Sequence, residues 1–280
     1  MRSVLPIIAV LVFSGCSGAI GSRLTAPDKN TLVRDQLVIH SDFPLATHHR
    51  LFDELTSQRT DLCQRLSLPA SDEPIDVYLF DTPEQFDGFI RLHYPMFPDR
   101  RAFFVQTDAK LAVYAQWGDR MSDDLRHEVT HGYLHAVAPN VPLWLDEGIA
   151  KYYEVGRGQH GLNRKMLARA TAKLNQDQWQ PDLRRLEQFP ADYNMTQDDY
   201  AEAWAWVHFL MESRPETLGL LRNYFTELRR DGVGVPLSAR LAAMFGQPEA
   251  ANAAWIEHLR RISEGSNPFP PTGGTRRQTL

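Results

Sequence analysis

The chain has only two cysteines in 280 residues, Cys16 and Cys63, so no disulfide framework holds it together. Long apolar runs are missing too. The run from Val4 to Phe13 is broken by Pro6 and is far shorter than the ~20 residues needed to cross a bilayer. No block of one charge occurs: 30 Lys and Arg against 35 Asp and Glu leave a net charge of −5. The arginine pairs at 100–101, 184–185, 229–230, 260–261 and 276–277 are scattered. The electrostatic footprint of a nucleic-acid binder is therefore absent. No internal repeat is evident.

What is present begins at the N-terminus. Arg2, the short apolar run and the small residues Ser14 and Gly15 have the layout of a secretory signal. Followed by Cys16, they resemble the bacterial lipobox. That resemblance implies that Cys16 is lipidated and becomes the new N-terminus, anchoring the chain at the periplasmic face of the cell envelope. Ser17, rather than an aspartate, favours the outer membrane by likeness to enterobacterial sorting. The expected segments are a signal peptide over 1–15, a lipidated tether over 16–35 and a flexible tail over 265–280, rich in Pro, Gly and Ser. The lipid is the expected membrane contact. Cys63 then has no intrachain partner; it shares a helical stripe with Leu55, Leu62 and Leu66 and reads as a buried, inert thiol.

Between the ends the pattern predicts an α+β fold. Residues 36–121 read as an α/β region with a small mixed sheet and an edge hairpin. It runs as a strand near 36–40, a helix from Pro44 to about Leu66, a strand at 75–80, a helix capped by Thr82 with Pro83 in its first turn, and strands at 102–106 and 110–117. Residues 122–264 read as mainly helical. The first helix starts at an N-cap Ser122, and others follow over 143–155, 161–174, 198–213, 215–230, 236–244 and 247–263.

The chemistry is concentrated in RHEVTHGYLHAVAPNVPLWLDEGIAKYYE, residues 126–154. His127 and His131 are four apart, on one face of a helix, and can converge on one metal ion. Glu128, one step round the helix, can reach a metal-activated water without being a ligand. His135 continues the spacing but would lie about 12 Å along the axis from His127, too far to share the ion; it is expected to pack or face solvent. Fifteen residues separate His131 from Glu147, enough for a loop and a returning helix. Two histidines and a glutamate with one open position form a catalytic zinc arrangement.

HExxH followed by WLDEGIAKYYE resembles the gluzincin zinc metallopeptidases, especially their aminopeptidase-N-like branch, which carries Trp-Leu-Asn-Glu-Gly-Phe-Ala at the matching place. The resemblance is specific over 126–154 and weaker elsewhere. It implies a thermolysin-like architecture, one zinc ion on His127, His131 and Glu147, and Glu128 as general base. Glu154 matches an acid that orients a ligand histidine. Tyr200, 53 residues after Glu147, matches a tyrosine that stabilises the oxyanion, with Tyr193, His208 and His160 as alternatives. The Gly-Ala-Met-Glu-Asn segment that holds a free amine in aminopeptidases is missing, so an endopeptidase acting on a peptide or protein is expected. The strand 110–117 is a candidate edge for an extended peptide. The expected protein is a monomeric, lipid-anchored zinc peptidase; the alternatives are a peptidase-like scaffold without turnover and a helical interaction protein with structural histidines.

Overall fold

The computed structural model describes residues 24–138, 140–176 and 179–265. The signal segment 1–15, Cys16 and residues 266–280 lie outside the described residues. The fold is α+β: a five-stranded mixed sheet followed by a mainly helical region.

The sheet begins inside the segment expected to be a tether. Strand β1 (Asn30–Arg34) turns through Asp35, in the left-handed region at φ 52°, and pairs antiparallel with β2 (Leu37–Ser41). Polar NTLVR, half wet throughout, has no apolar period to announce it. Helix α1 (Arg50–Leu66) then crosses to β3 (Ile75–Phe80), which lies parallel to β2. The helix starts six residues after Pro44, and Cys63 on it is only half-buried. Helix α2 (Pro83–His93) begins as expected, with the Thr82 hydroxyl accepting from Gln85 N. A hairpin follows, β4 (Ala102–Gln106) and β5 (Leu111–Gln116).

The strand order is β1-β2-β3-β5-β4. The edge strand of the hairpin is thus β4, and the expectation for 110–117 is corrected: β5 is interior, parallel to β3. Its run LAVYA is buried throughout, as a strand covered on both faces requires. Phe80, Phe86, Phe89, Phe103 and Tyr114 fill a separate small core with α2. The larger core begins across the sheet, where α3 (Met121–His135) packs on β3, β4 and β5 and against α1.

Helix α3 is capped by the main chain of Arg120, not by Ser122, which already lies inside the first turn because Asp123 N and Asp124 N both bond to Arg120 O. Its N-terminal turn carries Asp123 and Asp124, where the helix dipole favours negative charge. Then come α4 (Leu143–Tyr153), α5 (Arg164–Leu174), a short α6 (Leu183–Glu187), α7 (Gln197–Glu212), α8 (Pro215–Asp231), α9 (Leu237–Phe245) and α10 (Pro248–Gly265). Helix α6 was not anticipated; it is five residues long, capped by Asp182 onto Arg185 N. Helix α7 is the axis of this half. It opens on a capping box of Thr196 and Asp199 and is buried from Asp199 to Met211.

Helices α4 and α7 approach so closely that a Cβ on Gly148 would lie 2.7 Å from Val207 Cγ2 and 2.8 Å from Ala203 O. One apolar core runs from Leu37 on the sheet to Leu259 on α10, so the boundary at 121/122 marks a change of element type within one packed unit. Among the described residues no helix is long and apolar enough to cross a membrane.

Candidate metal centre

Two helices bring the site together. Helix α3 supplies His127 and His131 from consecutive turns of its buried face. The chain turns back through Asn140, in the left-handed region at φ 63°, and α4 returns Glu147 to the histidines. The two Nε2 atoms lie 3.3 Å apart. Glu147 Oε2 is 3.4 Å from His127 Nε2 and 3.9 Å from His131 Nε2.

These separations test the fit to a metal. Donors at about 2.0–2.1 Å around a tetrahedral ion stand roughly 3.3 Å from one another, and the three atoms form nearly that triangle. Glu147 Oε2 is buried without a conventional hydrogen-bond donor. The site therefore gathers three metal-type donors where ordinary hydrogen bonding leaves one of them unsatisfied.

The outer nitrogens each face a carboxylate. His127 Nδ1 lies 3.2 Å from Glu154 Oε2, and His131 Nδ1 lies 3.0 Å from Asp146 Oδ1. These are close ion-pair contacts without hydrogen-bond alignment, and they set each Nδ1 beside a carboxylate while Nε2 turns to the centre of the cluster. Glu154 also pairs with Lys151 Nζ, and its carbonyl accepts from Arg126 Nε at 2.9 Å. Asp146 is a site residue that the sequence reading passed over. The signal was its place directly before Glu147, pointing to the α3 side of the helix.

His135 stays outside the triangle, as helix geometry requires, but it neither packs idly nor simply faces water. Its Nε2 lies 3.0 Å from Asp146 Oδ2 and its Nδ1 2.7 Å from Gln106 Oε1. Asp146 therefore bridges His131 and His135. Those three residues form a second grouping of metal-type donors that shares His131 with the first.

The charges set the protonation. Burial alone would keep His131 neutral, but Asp146 and Glu147 outweigh it and raise its pKa to about 10. For His127, burial and Lys151 lower the pKa, and the contacts with Glu147 and Glu154 raise it more. Burial pushes the Glu154 carboxyl up, yet His127 and Lys151 bring it down to about 2. Glu147 is likewise held below the usual carboxylate range by the two histidines, against its burial. These neighbours favour the ionised form of Glu147 and Glu154, the form in which a carboxylate can bind a metal.

Glu128 is 9% exposed and lines the same cavity, of about 620 Å³, as His127, Glu147, Glu154 and Tyr200. Tyr200 enters it from the first turn of α7. Its hydroxyl accepts from Arg100 Nη2 at 3.2 Å, and Lys151 Nζ sits 5.7 Å from its ring centre. Burial and Glu147 raise the phenol pKa; Arg100 opposes them. Arg100 was not foreseen, because only the tertiary fold brings the start of β4 to α7.

The alternatives to Tyr200 lie elsewhere. Tyr193 is 38% exposed and stacks on Phe189. His208 is buried in a pair with His258, Nδ1 to Nε2 at 2.8 Å. His160 lines a different cavity, beside Tyr152 and Arg65.

A second cavity, of about 280 Å³, meets the first at Arg100, His127, Glu128 and Glu147 and continues along β4 past Phe103, Phe104 and Gln106. Gln116 N bonds to Arg101 O and Thr107 N to Lys110 O, so alternation turns the main-chain groups of Ala102, Phe104 and Gln106 to the open edge. The Phe104 ring stacks on His131 with centroids 5.9 Å apart.

No protein-family model matches the chain, and no curated protein is significantly similar to it.

Proposed function

We propose that the protein is a zinc-dependent peptidase that hydrolyses internal peptide bonds, anchored to the cell envelope through Cys16. The observation that carries this reading is the triangle of His127 Nε2, His131 Nε2 and Glu147 Oε2, sized for one tetrahedral ion and buried beside a free carboxylate, Glu128. A bound zinc ion would lower the pKa of water and polarise a substrate carbonyl. Glu128 accepts the proton of the attacking water and delivers it to the leaving nitrogen. Tyr200 receives a hydrogen bond from Arg100, so its own O–H is free to donate to the oxyanion. Glu154 and Asp146 hold the two imidazoles in orientation.

Substrate placement follows from the groove. It extends from the cluster in two directions, toward Lys151 and Lys165 in one cavity and toward Gln106 in the other. A chain lying across the cluster would pair with the free edge of β4 by main-chain hydrogen bonds. An opening on both sides suits an internal bond better than a terminal one.

The test is Glu128→Gln, which keeps the ligands and removes the base. Purified protein should bind one zinc ion per chain by elemental analysis. A chelator-sensitive cleavage of a peptide library should be lost in the variant, while zinc binding persists. Full cleavage by Glu128→Gln would sink the role of Glu128, and absence of bound metal from both proteins would sink the reading as a whole.

A further inference from the structure

Nine large apolar side chains are conspicuously exposed among the described residues, and four of them, Leu24, Leu92, Met96 and Phe97, belong to one place. Single exposed apolar residues need no explanation; a cluster does. Leu24 lies over Gly88 on α2, its Cδ2 3.0 Å from where a glycine Cβ would be. Leu92 is one helical turn further along the same face. The loop after α2 then carries Met96, 92% exposed, and Phe97.

This loop is built to hold its shape. Pro95 and Pro98 flank Met96 and Phe97. Tyr94 N bonds to Ile90 O at 2.7 Å, and Phe97 N to Tyr94 O at 2.9 Å. Tyr94 Oη reaches Tyr114 Oη at 3.1 Å, and the Phe97 ring is 4.9 Å from both Tyr94 and Phe103. A rigid base thus presents Met96 outward. The neighbouring Arg91 side chain is 83% exposed, and its guanidinium lies 4.0 Å from Asp87 one turn back on the helix.

The N-terminal chain reaches the fold at this same face. The Leu24 carbonyl lies 3.2 Å from His93 Nε2 on α2. Eight Cα steps connect Leu24 to Cys16, which at full extension span about 26–29 Å. A lipid on Cys16 would keep the fold within that distance of the bilayer surface, with α2 the helix nearest the point of attachment.

We propose that the α2 face bearing Leu24, Leu92, Met96 and Phe97 docks on the lipid bilayer, with Met96 and Phe97 entering the headgroup boundary and Arg91 meeting anionic headgroups. The choice of a bilayer over a protein rests on the reading of Cys16 as a lipid anchor. Acyl chains supply the attachment and the loop sets the orientation. Arg100 follows Phe97 by three residues, so docking would also fix which way the mouth of the cleft faces.

The test uses the processed chain, residues 16–280, with Cys16→Ser so that no acyl chain contributes. It is sedimented with vesicles of phosphatidylethanolamine and phosphatidylglycerol. The Cys16→Ser chain should partition onto the vesicles, and adding Met96→Asp should weaken partitioning about tenfold or more. Met96 is so exposed that its replacement leaves the fold intact, which circular dichroism checks; Leu92→Asp, at a side chain 61% exposed, is the second variant. A Cys16→Ser chain that stays wholly in solution overturns the proposal, as does Met96→Asp binding as well as its parent. A dimer dispersed by Met96→Asp without change in vesicle binding would assign the patch to a second copy instead. Mass spectrometry of the wild-type chain reads acylation separately, so an unmodified Cys16 would sink the lipidation reading without touching the vesicle result.

Discussion

His131 turns one ring nitrogen toward Glu147 and the other toward Asp146, whose Oδ1 lies 3.0 Å away. The same aspartate holds His135 at 3.0 Å through its second oxygen. A carboxylate placed between two imidazoles in this way would help to orient His131 once a metal is bound. Asp146→Ala should weaken zinc affinity by about 10–100-fold. Asp146→Asn, which keeps one acceptor oxygen for His131, should lose less. Competition with a chromophoric chelator measures both; equal affinity in Asp146→Ala and wild type would remove Asp146 from the site.

In the proposed reaction Tyr200 and Arg100 would act on turnover and not on the metal. Tyr200→Phe should lower kcat by about 10²–10³ with little change in KM and none in zinc content. Arg100→Met removes the donor to the phenol oxygen but leaves the phenol, and should cost about tenfold. Steady-state kinetics on a peptide found in the library screen decide between them. A Tyr200→Phe enzyme with wild-type kcat would show that the ring only packs.

Gly148 follows the candidate ligand Glu147 because α7 leaves no room for a side chain. Gly148→Ala gains about 1 kcal/mol of helix propensity. It also forces a methyl against Ala203 O, a backbone atom that cannot swing aside. Overpacking should win, with a net loss of about 1–2 kcal/mol and a fall in Tm of about 2–8 °C. A melting curve that rises instead would refute the close approach of α4 and α7.

The His208–His258 pair predicts an acid-labile core. Burial, then His258, lowers the His208 pKa to about 3; burial, then Arg261, lowers that of His258 to about 4. Both lie below the unfolded value of about 6.5, so the unfolded chain binds the extra protons. Stability is full above about pH 6.5 and drains away as pH falls toward 4. Replacing both by leucine should remove about 2–3 kcal/mol of the difference in stability between pH 7 and pH 5. Urea midpoints at the two pH values give that difference; an unchanged slope in the double variant would mean that the pair is already charged in the fold.

Much of this was legible in the chain. IDVYLF, the hairpin around Asp108, Thr82 with Pro83, and the helical spacing of HExxH with Glu147 are local signals, and each lies where its pattern put it. What escaped depends on contacts distant in sequence or on strands without contrast. Strand β1 is exposed on one face and half-buried on the other, and it is fixed chiefly by pairing with β2. The edge status of β4 comes from β5 joining β3, although the unbroken burial of LAVYA hinted at it. Arg100 reaches Tyr200 across a hundred residues of chain, a pairing that no spacing rule encodes. Asp146 was hidden by its neighbour: with Glu147 taken as the ligand, the residue before it looked like ordinary first-turn acid.

The unbroken core from Leu37 to Leu259 has a consequence for how the molecule would experience metal. Two candidate ligands stand on the helix that roofs the sheet, and the third on a helix wedged into the remainder. Neither portion can loosen without opening the other's interior, so occupancy at three atoms would be felt by the whole chain, out to α10. Such a protein would not shed a metal-free lobe while keeping a folded one; its metal status and its persistence as a folded chain would be a single quantity.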